Sequence, residues 1–379
     1  MTFYLLALLP LIAWAIQWYF NRRVVWQEAA IGAGAALLVA VIFQVIESCG
    51  AFVPSDMETW SGRVEYAQYQ PRWREFYEEA IYRTEHYTTR DSKGRTQHHT
   101  RRVFSHWEDR RRWHEAEWWV STELGTLRIG EERYTDILKE LGGVTHVAGD
   151  RKTGEHNSRM IEGVPYDDRT VNKTGYIYPV TTNKSFENRL LKAKGSLYNF
   201  EPVPPEQAKT LYNWPENKSN FDSDRLMGAA KDKWNRRQWD QMNAVLGPTK
   251  NVNVIAIGFP AGSSLQTGML QERLWKGGKK NDLVITFGPN WAYVFGWTER
   301  QAVKRLLENR VRDNTATIEE ITKVIKAEYE LLPFEEKFAH IEIETPWWYY
   351  LIYGIVVALS QGAAHYFFST NIESKHANY

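Results

Sequence analysis

The chain has 379 residues, with 47 Lys and Arg against 46 Asp and Glu and a formal net charge of +1. This length has room for two modest domains or one large one. The balanced charge argues against a general nucleic-acid binder, and the single cysteine excludes an internal disulfide. We therefore expect no nucleic-acid partner and a core stabilised by its own packing.

Three long apolar runs lie near the ends of the chain. Each approaches the roughly 20 residues needed to cross a bilayer, and Trp and Tyr residues flank them as in an interfacial belt. A buried core helix is the alternative for such a run. We predict three transmembrane helices, with the lipid bilayer as a partner, at Leu5–Phe20, Ala29–Ile46 and Trp347–Phe368.

The short loop between the first two runs carries Arg22 and Arg23. Positive charge favours the cytoplasmic side of a membrane. The sequence therefore predicts an integral protein of a bacterial inner or host-cell membrane, with its N-terminus outside and its C-terminus in the cytoplasm. Residues 56–346 are then extracytoplasmic.

Two of these runs carry small residues at four-residue spacing. Such stripes let helix backbones approach closely in lipid. They predict helix packing within the chain or with a second copy, although chance in segments rich in Ala and Gly also explains them. The residues are Gly32, Ala36, Ala40, Gly354, Ala358 and Gly362.

The stretch after the second run indicates a mainly β module over residues 56–180. The turn signal at residues 90–94 separates two runs that bear Thr and Tyr, which predicts a hairpin. Glu131–Leu141 is typical of a short helix that ends at Gly142. Four prolines within residues 181–219 indicate an extended connection.

Residues 220–333 predict a small α/β sandwich. The runs Val252–Phe259 and Asp282–Gly288 are apolar at successive positions, as in strands buried on both faces. The helix-length segment Ser264–Trp275 between them predicts a βαβ unit with parallel strands. Asn290–Trp297 follows as a third strand, and Asp222–Asp224 is expected to cap a helix that runs through Leu246. The predicted fold class is thus α+β or α/β, with transmembrane helices at residues 1–55 and 334–379.

Two elements of this sandwich are candidate chemical sites. Ser263 and Ser264 lie between a strand and a helix, where a helix N-terminus can bind an anion. Ser264 as an ordinary helix cap is the alternative. Asp282 is the candidate catalytic carboxylate, but acid and base catalysis needs a positioned partner. No nucleotide-binding glycine motif is present, and we predict no cofactor.

The β module is dense in His, Trp and Arg. Five histidines are candidate metal ligands, although the neighbouring arginines would repel a cation. They are His86, His98, His99, His106 and His114. Four tryptophans are suited to a protein interface. They are Trp107, Trp113, Trp118 and Trp119.

The stretch Leu246–Trp297 contains the segments LGPTKNVNVIAIGF, WKGGKKNDLVITFG and WAYVFGW. This order resembles the TPM-domain family. The resemblance implies an extracytoplasmic α/β domain with phosphatase activity, calcium binding or an accessory role towards membrane complexes. The acidic pair of that family is absent, because Gly288-Pro-Asn stands in its place, so only Asp282 carries over. The terminal runs and the WSGRV segment at Trp60–Val64 also resemble membrane proteins encoded by tailed bacteriophages.

These observations favour a non-enzymatic function. We predict a protein that binds or scaffolds a protein partner, or a second copy of itself, at the cell envelope. One alternative is a membrane-tethered, phosphatase-like hydrolase that uses Asp282 and the two serines. Another is a metal-stabilised envelope sensor built on the histidines.

Overall fold

The computed structural model describes residues 11–12, 15–16, 19, 26–48, 52–90, 92–193 and 202–376. The chain divides into two compact units, and the larger one comprises Met57–Lys184 and Pro202–Leu332. In chain order the helices are α1 (Trp26–Ser48), α2 (Glu131–Leu141), α3 (Pro205–Ala208), α4 (Ala230–Lys233), α5 (Arg236–Lys250), α6 (Leu265–Leu274), α7 (Ala302–Arg312), α8 (Ile318–Glu328), α9 (Phe334–Lys337) and α10 (Trp347–His376). The strands are β1 (Ser55–Gln70), β2 (Trp73–Arg90), β3 (Thr96–His114), β4 (Glu117–Thr122), β5 (Gly125–Ile129), β6 (Gly142–Ala148), β7 (His156–Glu162), β8 (Tyr166–Asn172), β9 (Pro179–Glu187), β10 (Asn217–Ser219), β11 (Asp222–Ser223), β12 (Leu226–Gly228), β13 (Asn253–Gly258), β14 (Asp282–Gly288) and β15 (Trp291–Gly296).

Among the described residues, no helix combines the length and the apolar character that a membrane crossing requires. The predicted transmembrane helices at Ala29–Ile46 and Trp347–Phe368 are therefore wrong, as are the membrane localisation and the extracytoplasmic orientation. The run Leu5–Phe20 lies almost wholly outside the described residues. Over the part of the chain that the structure describes, the fold class is α+β with several sheets, without the predicted transmembrane part.

In the smaller unit, α1 and α10 pack against each other. Ala36 and Ala40, two of the small residues predicted to line a helix contact, are fully buried. Because alanine leaves room for a large partner, the space beside them is filled by bulky side chains of α10. These are Tyr349, Tyr353 and Val357.

The small residues on α10 do not take part in this contact. Ala358 is exposed, and a Cβ added to Gly354 or Gly362 would meet no heavy atom within 4 Å. Gly32 lies on α1, one turn before the buried pair. The two predicted stripes therefore do not pack against each other, and Ala36 and Ala40 are the members that the structure buries in this contact.

A six-stranded sheet forms the first core of the larger unit. Its order is β5-β4-β1-β8-β6, with β9 paired to β1. The helix predicted at Glu131–Leu141 is confirmed as α2, and it ends where Gly142 adopts a φ of 108°. Tyr134, Ile137 and Leu141 of this helix are buried against the sheet, where Val64 and Val120 belong to the same core cluster.

A four-stranded sheet, β12-β13-β14-β15, forms the second core. The predicted βαβ unit is confirmed, because β13 and β14 pair in parallel and α6 lies between them in the chain. Both strands are buried on both faces. Val254 and Ala256 belong to one core cluster, whereas Ile255 and Ile257 belong to the other. The antiparallel strand β15 completes the predicted order.

The helix predicted to begin at Asp222–Asp224 is wrong. Residues 226–228 form β12, a parallel neighbour of β13. Ser223 does not cap a helix because its hydroxyl donates to Asp240 at 2.9 Å and accepts from the buried Arg225 at 2.9 Å. The long helix α5 begins later, where Asn235 accepts a hydrogen bond from the amide of Gln238 at 3.1 Å.

The predicted hairpin is confirmed and is unusually long. Strands β2 and β3 pair in antiparallel register from Trp73↔His114 to Arg90↔Thr96. The third strand of this sheet, β7, pairs only with the first part of β2, from Arg74↔Glu162 to Glu78↔His156. Beyond Glu78, the hairpin is therefore a two-stranded ribbon.

Candidate protein-binding surface

A buried carboxylate, Glu75, ties the base of the hairpin together. Its side chain is inaccessible to solvent. Four side chains from β3, β7 and the segment before β7 hydrogen-bond to it, namely Arg112, His114, Thr153 and Ser158. Burial alone raises the pKa of Glu75, but these hydrogen bonds outweigh it and lower the pKa to about 2. The ionised carboxylate therefore fixes where β2, β3 and β7 meet.

One face of the hairpin exposes a row of aromatic side chains. Pairing places Trp113 opposite Arg74, Trp107 opposite Ala80 and Phe104 opposite Tyr82, and side chains directly opposite each other share a face. A bulge at Ser105 shifts the register, so that Phe104 and Trp107 lie on the same side, with ring centroids 5.5 Å apart. The exposed fractions are 49% for Tyr82, 46% for Phe104, 44% for Trp107 and 40% for Trp113.

Arg74, Glu78, Asp109 and three further arginines lie on the same face as these rings. Arg102 is 5.0 Å from the ring centroid of Tyr82, and Arg159 of β7 is 4.8 Å from that of Phe76. Arg111 pairs across the strands with Phe76. Among the described residues, none of the three forms an ion pair with a carboxylate. We call this surface the aromatic–arginine face; it comprises Phe76, Tyr82, Phe104, Trp107, Trp113, Arg102, Arg111 and Arg159.

The opposite face of the hairpin has a different electrostatic character. There, each arginine of β3 is neutralised by a glutamate of β2. The ion pairs are Arg101 with Glu85 at 3.0 Å, Arg110 with Glu79 at 2.9 Å and Arg112 with Glu75 at 2.6 Å. The two faces thus carry the same residue types, but only the aromatic–arginine face offers cations without a carboxylate of their own.

The outer edge of β3 is free. β3 is the terminal strand of its sheet, and among the described residues its backbone hydrogen-bonds only to β2. Such an edge presents a row of unpaired N–H and C=O groups. Over the 19 residues of β3 this row runs along the border of the aromatic–arginine face.

The predicted interface tryptophans separate into two pairs. Trp107 and Trp113 lie on the aromatic–arginine face. Trp118 and Trp119 lie on β4 in the six-stranded sheet, and both are half-buried. Trp118 stacks on Tyr69 at 5.3 Å and packs against the core cluster. The structure therefore groups two of the four tryptophans on one exposed surface.

The five candidate histidines are spread along the hairpin. His98 lies near its tip and His114 at its base, about 50 Å apart at the usual rise per strand residue. His114 forms a hydrogen bond with Glu75 at 2.8 Å, and His99 forms one with Thr89 at 2.7 Å. His86 and His106 lie along the hairpin between its tip and its base. Among the described residues, no group of three or more His, Cys, Asp or Glu side chains is placed to hold a metal ion.

The candidate serines and Asp282 lie at opposite ends of the four-stranded sheet. Asp282 begins β14, is fully buried, and accepts hydrogen bonds from Asn253 Nδ2 at 2.9 Å and from the amide of Lys279. Ser263 lies near the other end, about 20 Å away along the strand, and donates to Pro260 O at 2.8 Å. Ser264 caps α6 in a capping box with Thr267. These side chains are thus engaged in the fold and cannot act together on one small substrate.

Sequence reasoning missed part of the aromatic–arginine face. Arg111 and Trp113 are two apart on one strand, so alternation was a usable signal for them. Phe104 and Trp107 are three apart, and only the bulge at Ser105 brings them to the same side. Arg159 reaches the face from β7, and no local pattern indicates that placement.

Comparison of the chain with models of protein families, with curated proteins and with solved structures finds no match in any of the three. The resemblance to the TPM-domain family and to phage-encoded proteins therefore stays a prediction.

Proposed function

We propose that this protein is a binding or scaffolding module that engages a protein partner through the aromatic–arginine face. The observation that supports this most directly is the exposure of two indole rings on one face, beside three arginines without a carboxylate partner among the described residues. Trp, Tyr and Arg are the residue types that dominate binding energy at protein interfaces. Rings held on paired strands lose little conformational freedom when they bind.

Site-specific photo-crosslinking in the native cells tests this proposal. A benzophenone side chain at Phe104 reports on the aromatic–arginine face, and one at Tyr87 is the matched control, because Tyr87 is equally exposed on the opposite face. We expect a discrete protein adduct from position 104 and none from position 87.

The adduct must also depend on the surface itself. Trp107→Ala should lower the adduct yield at position 104 strongly, since removing a hot-spot indole costs about 2 kcal/mol or more, or roughly 30-fold in affinity. Tyr87→Ala should leave the yield unchanged. Equal adducts from both positions, or an adduct insensitive to Trp107→Ala, would contradict the proposal.

A further inference from the structure

The proposed surface also indicates what kind of segment it binds. The free edge of β3 offers backbone hydrogen bonds along its length, as in complexes where a peptide adds a strand to a sheet. Side chains of an added strand alternate between the two faces of the sheet. The added strand would therefore place every second residue beside the aromatic–arginine face.

Charge decides which residues fit those positions. On the aromatic–arginine face, Arg102 and Arg111 of β3 have no carboxylate partner among the described residues. On the opposite face, Arg101 and Arg110 are already paired with Glu85 and Glu79. Carboxylates of an incoming strand can therefore form ion pairs with unpaired arginines on one face of the sheet only.

The acidic side chains of this face limit where a carboxylate can bind. Asp109 lies on β3 between Trp107 and Arg111, and Glu78 lies opposite it on β2. Carboxylates of an added strand are therefore favourable beside Arg102 and Arg111 and unfavourable beside Asp109.

We infer that the partner contributes an extended acidic strand, which adds to the edge of β3 with carboxylates at the positions that face Arg102 and Arg111. This inference rests on the proposed function and specifies its ligand. Nine residue positions separate the two arginines, which an extended peptide of about nine residues spans.

Two peptides of identical composition test the alternation. The first alternates Glu and Thr over about nine residues, and its isomer carries all Glu residues in one block followed by all Thr residues. Only the first places every carboxylate on one face. We expect it to bind the full chain roughly two- to tenfold more tightly than the block isomer, because the block isomer can place carboxylates beside only one of the two arginines. Equal affinities would overturn the inference.

Neighbouring arginines supply the matched variants. Arg111→Gln should weaken the alternating peptide roughly two- to fivefold, whereas Arg110→Gln, on the opposite face, should have little effect. Hydrogen exchange should show new amide protection within residues 96–114 when the alternating peptide is bound. Equal effects of the two variants, or no new protection along β3, would contradict strand addition.

A single-stranded oligodeoxythymidylate of equal length is the competing probe, because aromatic rings and arginines also bind nucleic acid. If the oligonucleotide binds more tightly than the alternating peptide, the inference is overturned in favour of a nucleic-acid ligand. If crosslinking at Phe104 depends on Trp107 but the two peptides bind equally, the proposed function stands and only the acidic strand is rejected. If crosslinking also fails, the proposed function falls with it.

Discussion

Glu75 illustrates how one residue positions a binding surface. Its carboxylate is shielded from solvent, yet hydrogen-bond donors on three segments keep it ionised. Arg112 and His114 bring β3 to β2, while Thr153, before β7, and Ser158 of β7 bring in that strand. Because β7 carries Arg159, this buried contact also aligns the aromatic–arginine face.

The stability supplied by Glu75 should depend on pH. Its folded-state pKa, about 2, lies below the ordinary value of 4.5, so its contribution is fully present above pH 4.5 and is lost as the pH falls towards 2. This shift corresponds to on the order of 3 kcal/mol. Urea unfolding of the wild type and Glu75→Gln should therefore give a difference in unfolding free energy that shrinks as the pH falls below 4.5.

The control for this experiment is Glu79→Gln, which removes an exposed carboxylate from the same face of β2. Its effect should stay below about 1 kcal/mol, as for other exposed ion pairs. If the difference between wild type and Glu75→Gln does not change with acidification, the carboxylate of Glu75 does not have the role we assign to it.

Asp282 shows where residue-level prediction from sequence stops. A carboxylate at the start of a core strand has the same sequence signal whether it catalyses a reaction or binds a backbone amide. Its role is decided by Asn253 and Lys279, which donate hydrogen bonds to it. The same holds for the tryptophans. Their residue type indicates a contact surface, but the sequence does not indicate that Trp118 stacks on Tyr69 inside the protein.

At the level of elements, strands with a strong local pattern were predictable. β13 and β14 are apolar at successive positions, and a sheet covered on both faces is the environment that such a pattern requires. β12 has only three residues, too few for periodicity, and its place is fixed by parallel pairing with β13. The residues before it resemble a helix cap because the cap signal is local, whereas their partners, Asp240 and Arg225, are set by the tertiary fold.

The close approach of β13 to the start of α4 yields an element-scale prediction. A Cβ on Gly258 would lie 2.5 Å from the backbone nitrogen of Ala230, a contact that the structure must relieve by moving backbone. Gly258→Ala should therefore lower the unfolding free energy by about 2–3 kcal/mol. The shift of the urea midpoint at unchanged slope measures it.

Gly130→Ala is the matched substitution. Gly130 precedes α2 with a φ of −90°, and an added Cβ meets no heavy atom within 4 Å. Its effect should stay within about 0.5 kcal/mol. Comparable destabilisation by the two substitutions would show that steric contact at Gly258 is not the cause.

At the level of the whole molecule, the hairpin is set apart from both cores of the larger unit. Its local features, a turn signal between two runs rich in Thr and Tyr, were enough to predict it. Its length, the bulge at Ser105 and the addition of β7 were not, because they depend on pairings between residues far apart in the chain. Because the candidate binding surface is assembled from such pairings, only part of it can be predicted from the sequence.

This separation predicts that the ribbon between Ala80 and Trp107 can be removed without loss of the fold. No residue of Ile81–His106 belongs to a core cluster of the described residues, and the ribbon is held mainly by its own cross-strand pairing, exposed ion pairs and cation–π pairs. Joining Ala80 to Trp107 through Asn-Gly, which suits a two-residue hairpin, should change the unfolding free energy by about 1 kcal/mol or less. The same deletion should abolish binding of the alternating Glu/Thr peptide, because it removes Arg102 and most of the free edge.

A shorter deletion separates the role of the tip from that of the face. Removing residues 86–100 and joining Glu85 to Arg101 through Asn-Gly retains Tyr82, Arg102 and Phe104 on one face and keeps the edge from residue 101 onwards. This variant should bind the peptide within about twofold of the wild type, since the retained edge still spans both unpaired arginines of β3. If the first variant no longer unfolds cooperatively, the ribbon is part of the folded core. If the variant that lacks residues 86–100 no longer binds the peptide, the binding surface lies at the tip of the hairpin instead.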